Sequence, residues 1–149
     1  MPLQVGDKAP DIKNSEFSLA SLKGQRVVMF FFPKADTPGC TKESIAFSGL
    51  AKAFAKAGTA ILGVSADPVK AQDKFRDKHG LTIPLASDET KEMLTAYGVW
   101  GEKSMYGRKF MGVRRTTFLI GRDGRIARVW ENVKVPGHAE AVLEAAAAL

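Results

Sequence analysis

The run Arg26-Val-Val-Met-Phe-Phe-Phe32 leads straight into Pro33-Lys-Ala-Asp-Thr37-Pro-Gly-Cys40-Thr41, and the hand-over between the two decides how this chain folds. The first half is apolar and rich in β-branched and aromatic residues, so it reads as a buried strand. Beyond Cys40, apolar residues at Ile45, Phe47, Leu50, Ala51 and Phe54 recur close to the helical period. That spacing predicts a helix from Cys40 to Lys56. Pro33 and Pro38 shape the loop and stop either element from running through it. Cys40 therefore lies where the carboxyl end of a strand passes, through a Pro-Gly turn, to a helix amino terminus.

Cys40 is the single cysteine of the chain, so an intramolecular disulfide is impossible. It is an inert buried thiol, a metal ligand awaiting partners, or a reactive nucleophile. Unpaired N–H groups and the dipole at a helix start favour an anion, which points to the third. The size of that effect is limited. A free thiol is about 3% thiolate at pH 7, so ionisation alone gains at most ~30-fold, and nucleophilicity falls as acidity rises. Catalysis must come mainly from groups that bind the transition state. Thr37 is the nearest candidate. Its hydroxyl can turn back towards the sulfur, and it both accepts and donates hydrogen bonds. It is equally a favoured helix cap, and the two roles are compatible. Asp36 or Glu43 would suit the positive helix end.

Around this hand-over the elements alternate. Phe17-Ser-Leu19 reads as a short extended piece, and Thr59–Ser65 as an apolar buried strand. Asp67-Pro68 opens a helix running to about His79, and Ile83-Pro-Leu85 is a short strand. Asp88 is placed to cap a helix that ends at Tyr97. Residues 116–121 and 125–131 flank Arg122-Asp-Gly124, a hairpin turn, and residues 137–149 form an alanine-rich terminal helix. The order βαβαβαββα predicts an α/β fold with a mixed central sheet flanked by helices. The 149 residues, 45% of them hydrophobic, are expected to form one domain over 1–149, without repeats or linkers.

Other chemistry is weakly represented. His79 and His138, each beside a glycine, suit helix ends or the surface better than a metal site. There is no Cys-x-x-Cys pair, no phosphate-cradling glycine loop and no dinucleotide fingerprint. The net charge of +6 permits attraction to anionic surfaces. Its cations are interspersed with acids, as in Lys70–Lys78, which reads as a solvated helix face rather than a nucleic-acid surface. Lys103, Arg108, Lys109, Arg114 and Arg122 form a looser cluster. Trp100, Tyr106 and Phe110 in the adjoining glycine-rich stretch read as loop-packing aromatics. No apolar span or signal peptide opens the sequence, which, with a single thiol, suits a soluble protein of the reducing cytoplasm rather than a membrane protein.

The pattern Pro33-xxx-Thr37-xx-Cys40 resembles the active-site signature of the peroxiredoxins. The longer stretch Phe32–Glu43 is similar to their Q-type, or bacterioferritin-comigratory-protein, branch. Gly6–Asp11, Gly98–Gly107 and Gly112–Ile120 resemble further segments of that branch in the expected order. The resemblance implies a thioredoxin-like fold and a thiol-dependent peroxidase in which Cys40 attacks hydrogen peroxide or an organic hydroperoxide. No cofactor or metal is implied. It selects Arg115 as the cation facing Cys40, a choice that strand alternation between Arg114 and Arg115 leaves open. Thr37, Pro33 and Arg115 are then the expected companions of Cys40.

The chain departs from the branch where a resolving cysteine is expected, because Ile45 and Arg76 stand at those positions. The resemblance therefore implies a one-cysteine member reset by an external thiol: thioredoxin, glutaredoxin with glutathione, or a small thiol. Transient Cys40–Cys40 linkage is a further route, and a monomer or weak homodimer is expected. The competing reading is a thioredoxin-like module or redox sensor that is oxidised once and signals through a partner.

Overall fold

The computed structural model describes residues 3–10 and 24–149; the extended piece expected at Phe17–Leu19 lies outside them. The opening run forms β1 (Arg26–Phe31). Phe32 remains tied to the sheet, its N–H donating to the Val64 carbonyl at 3.0 Å. The chain then enters α1 (Pro38–Gly49) and α2 (Ala51–Lys56), followed by β2 (Thr59–Ser65) and α3 (Val69–His79). Next come β3 (Leu85–Ser87), α4 (Glu92–Ala96), β4 (Trp100–Met105) and β5 (Arg108–Val113). The last elements are β6 (Thr116–Ile120), β7 (Ile126–Trp130) and α5 (His138–Ala148).

Five strands form a mixed sheet in the order β3-β2-β1-β6-β7. β1 runs parallel to β2, and β2 to β3, whereas β6 is antiparallel to both β1 and β7. This is the mixed α/β sheet flanked by helices that the sequence predicts. Successive side chains of a strand point to opposite faces, so β1 divides the core. Val27, Met29 and Phe31 pack with Leu94 of α4, Tyr97 and Phe118 on one face. Val28, Phe30 and Phe32 pack on the other with Cys40, Phe47, Phe54, Phe75 and Val142, drawn from α1, α2, α3 and α5. Burying each such aromatic or aliphatic side chain is worth about 1.5–3 kcal/mol. The burial of β1 on both faces is why the opening run is continuously apolar rather than alternating.

Three expectations change. The single helix over Cys40–Lys56 is broken at Leu50, whose φ of −101° and ψ of 6° are not helical; Gly49, a poor helix former, precedes the break. The short strand lies at Leu85–Ser87 rather than 83–85. Pro84 has no N–H to give a ladder, although its carbonyl accepts from Gly63 N–H at 3.1 Å. The glycine-rich stretch taken for a loop is an antiparallel hairpin, β4 paired with β5 from Trp100↔Val113 to Met105↔Arg108. Its turn is Tyr106-Gly107, with φ of +52° and +76°. Two consecutive left-handed residues are what a tight two-residue hairpin turn requires.

Candidate active site

The hand-over between β1 and α1 puts Cys40 in the first turn of a helix, beneath the carboxyl end of the central strand. Thr37 stands at the cap position with extended backbone, φ −90° and ψ 154°, but its side chain makes no cap bond. Its hydroxyl instead donates to the Lys34 carbonyl at 2.7 Å. That bond consumes the proton and leaves the oxygen lone pairs open to accept from a ligand. The first amides of a helix have no intrahelical acceptor, so Gly39 and Cys40 contribute donors beside the sulfur.

Cys40 is completely buried. Arg115, immediately before β6, reaches it from beside the neighbouring strand: Nη2 donates to Sγ at 3.3 Å. The other terminal nitrogen, Nη1, donates to Glu43 Oε1 at 2.7 Å. Arg114 points elsewhere, its guanidinium lying against Gly101 and donating to the Glu102 carbonyl. The geometry thus separates the two arginines on opposite sides, with Arg115 at the sulfur. Gly39 makes room for this approach, since a Cβ there would lie 3.1 Å from Arg115 Nη2.

Glu43 is the member that sequence reasoning did not bring to the site. Its charge suits the helix end, yet it lies three residues after Cys40, one turn along the same face. That spacing was the available signal. Its side chain is buried, with Oε2 lacking any hydrogen-bond partner. Burial pushes its carboxyl up to about 7, against the attraction of Arg115. Burial also opposes the charge of Arg115, but Glu43 and Cys40 beside it prevail and hold its pKa above the ordinary value. Asp36, the other acid suited to the helix end, points away from it, to Lys78 and His79.

Two more titratable groups feel this site. Lys103 of β4 bends over the hairpin to donate to the Val113 carbonyl at 2.9 Å. Burial lowers its pKa, the Arg115 charge lowers it further, and Cys40 counteracts them. His138, at the start of α5, is buried rather than on the surface, and its Nε2 shares a 2.8 Å hydrogen bond with Thr117 Oγ1. Burial and then the Arg115 charge push it down to about 4, so the ring is neutral. The edges of Phe47 and Trp130 enclose it. Both histidines lie at helix ends as expected, His138 opening α5 and His79 closing α3 before the left-handed Gly80.

Pro33 follows the last sheet bond of β1 and starts the loop without joining the contacts at the sulfur. The loop is anchored from below. Ala35 N–H donates to Asp67 Oδ2 at 2.7 Å, as does Ser65 Oγ at 2.7 Å, and Gln72 Nε2 donates to that serine at 2.9 Å. Of the basic cluster, Lys103, Arg108, Lys109 and Arg114 gather on or beside the hairpin, while Arg122 lies by Gly58 at the other end of β6. Tyr106 is 98% exposed and packs against nothing, contrary to its reading as a loop-packing aromatic. Among the described residues no three His, Cys, Asp or Glu side chains are grouped to hold a metal ion. No helix among them is long and apolar enough to cross a membrane.

The arrangement is a buried sulfur in the first turn of a helix with a fixed guanidinium on it, and the Thr37 hydroxyl three residues earlier keeps its lone pairs free. It suits a nucleophile that attacks a small polar molecule whose charge shifts during reaction. Comparison with known proteins agrees with that chemistry. The model of the AhpC/TSA family matches residues 5–129. The chain is 43% identical to the putative peroxiredoxin Bcp of Coxiella burnetii, over 96% of this chain and 98% of that one. It is 38% identical to peroxiredoxin Bcp of Escherichia coli, over 95% and 94% of the two chains. Among solved structures, the bacterioferritin comigratory protein of Xanthomonas campestris, studied for its alkyl peroxide reduction activity, superposes with a TM-score of 0.88. The two are 39% identical, with 97% of this chain and 98% of that one covered.

Proposed function

Because the chain belongs to the AhpC/TSA family and is a thiol-dependent peroxidase of the peroxiredoxin type, we propose that Cys40 is its peroxidatic nucleophile, with Thr37 and Arg115 as the groups that bind the peroxide. The observation carrying this reading is the 3.3 Å contact from Arg115 Nη2 to Cys40 Sγ at a helix start. The thiolate attacks the terminal peroxide oxygen. A sulfur–oxygen bond forms as the oxygen–oxygen bond breaks. The attacked oxygen keeps its proton, giving a sulfenic acid. The departing hydroxide or alkoxide takes a proton from solvent and leaves as water or alcohol. Thr37 accepts a hydrogen bond from the peroxide O–H, fixing which oxygen faces the sulfur. Arg115 and the first amides of α1 hold the oxygens as negative charge moves across the breaking bond. Pro33 contributes by ending β1 and fixing the loop that carries Thr37.

The reducing half requires an external thiol, because the chain holds no second cysteine. One thiol condenses with the sulfenic acid, releasing water and leaving a mixed disulfide. A second thiol displaces Cys40 as thiolate. Hydrogen peroxide and organic hydroperoxides are both substrates in this reading, since each presents the same terminal O–OH to the thiolate. A cytoplasmic, monomeric or weakly dimeric protein of one domain is the setting that supports such thiol-dependent recycling.

The test is peroxide consumption with a panel of thiol reductants. Wild type is expected to turn over many times with at least one of them. Cys40→Ser is expected to lose turnover completely while keeping its circular dichroism and melting temperature. Turnover in Cys40→Ser, or a single stoichiometric burst with every reductant, would overturn the reading, the latter in favour of a redox sensor.

A further inference from the structure

The loop that carries Thr37 is held from outside the site on two sides, by Asp67 within and by the C-terminal turn of α3 without. Asp36, immediately before Thr37, adopts a φ of +62°, in the left-handed region that a non-glycine residue enters at a cost. Its carboxylate spans the gap to the C-terminal turn of α3. Lys78 Nζ donates to Oδ2 at 2.9 Å, and His79 Nε2 lies 2.9 Å from Oδ1. Both carboxylate oxygens are therefore engaged, each by a different residue of the same helix end. His79 is in turn braced against Phe75, 5.4 Å between ring centroids, and Phe75 packs on Phe32 at the end of the central strand. On the inner side the Ala35 amide is tied to Asp67. The Lys34 carbonyl accepts a hydrogen bond from the Thr37 hydroxyl. The turn at 34–37 is thus gripped on its inner and outer sides, and Asp36 is the outer grip.

We infer that Asp36 is a positioning residue for the peroxidase reaction: clamped by Lys78 and His79, it holds the turn in the left-handed conformation that seats the Thr37 hydroxyl on the Lys34 carbonyl, with its lone pairs left to accept from peroxide. This rests on the assignment of Thr37 and Cys40 above and adds to it residues of α3 that never touch peroxide. The physical reasoning is one of leverage. An exposed ion pair contributes little to global stability. Here it acts on a single residue next to the hydroxyl, where a small displacement misplaces an acceptor that must meet a peroxide O–H at hydrogen-bond distance. The strained backbone at Asp36 relaxes if the carboxylate is released, and Thr37 moves with it.

The consequence is readable with uncharged hydrogen peroxide, by stopped-flow measurement of the first oxidation of Cys40. Asp36→Ala and the paired Lys78→Ala/His79→Ala variant should each slow oxidation about three- to fivefold, with little change in melting temperature. The triple variant should be no slower than the slower parent, because both remove the same contact. Raising potassium chloride from 0.1 M to 1 M shortens the screening length from about 10 Å to about 3 Å. Wild type should then slow towards the Asp36→Ala rate, and Asp36→Ala should respond less. A purely packing role for Asp36 would give no such salt-dependent difference. If the paired variant oxidises as fast as wild type, or the effects simply multiply in the triple variant, the clamp is overturned while Cys40 chemistry stands. If wild-type Cys40 fails to react with peroxide at all, both readings fall together.

Discussion

At the scale of single residues, Arg115 is the side chain on which the site depends, because its two terminal nitrogens serve different acceptors. Nη2 meets Cys40 Sγ at 3.3 Å and Nη1 meets Glu43 Oε1 at 2.7 Å. A planar fork can bridge two such groups, whereas a lysine ammonium is a single point charge on a flexible stem. Arg115→Ala should therefore slow peroxide oxidation of Cys40 by about 100- to 1000-fold, the usual loss when a fixed donor is removed from a transition-state site. Arg115→Lys should fall between the two. Single-turnover rates at saturating and limiting peroxide check both, and a rate within twofold of wild type for Arg115→Ala would remove Arg115 from the reaction. Much of this was legible in advance. The spacing of Thr37 and Cys40 marked the loop, and the resemblance chose Arg115 over its neighbour. The direction of the Thr37 proton was not legible, since it depends on where the Lys34 carbonyl turns. Nor was Glu43: its spacing put it on the right face, but only the fold brings a guanidinium from 72 residues away to meet it.

At the scale of elements, hydrophobic period served well wherever an element is buried on its own account. β1 and β2 lie close to where the apolar runs place them, while α3 follows from its Asp67-Pro68 start and β6 from the Arg122-Asp-Gly124 turn. The hairpin β4–β5 escaped because Arg108, Lys109, Phe110 and Met111 are exposed on both faces of β5, leaving no apolar alternation to read, and glycines interrupt the pattern. The usable signal was Tyr106-Gly107 at its centre. Glycine inside β2 poses the opposite question, since Gly63 lies in a run otherwise suited to a strand. A Cβ built there would lie 2.8 Å from Phe30 Cζ and 2.9 Å from Leu85 Cδ2. The missing side chain is what lets Phe30 of β1 and Leu85 of β3 close over β2. Gly63→Ala must displace one of them, and overpacking of this kind costs about 1–3 kcal/mol. Urea denaturation should show that loss as a lower midpoint with an unchanged slope. A neutral or stabilising result would mean that the rings swing aside freely.

Across the whole molecule, two buried titratable groups near Arg115 set stability against pH in opposite directions. Glu43 is raised from 4.5 to about 7 in the fold. Between those values the folded state keeps a proton that the unfolded chain has lost, so stability is highest below about 4.5 and falls as pH rises through about 7. His138 is lowered from 6.5 to about 4. Between those values the unfolded chain holds the extra proton, so stability is full above about 6.5 and falls as pH drops through about 4. The windows overlap between pH 4.5 and 6.5, where the two slopes oppose each other and wild type should respond weakly to pH. Each substitution should unmask the other group. Glu43→Gln should leave a chain whose stability climbs steadily from pH 4 to 6.5, and His138→Gln one whose stability declines from pH 4.5 to 7. Comparing urea midpoints of the three proteins across pH 4 to 8 tests the pairing directly. Parallel profiles for wild type and both variants would show that neither group titrates differently in the fold, whereas crossing profiles would locate the acid limb at the start of α5 and the neutral limb beside Cys40. Both groups are influenced by Arg115, so the cation that prepares the sulfur also shapes how the whole molecule answers to protons.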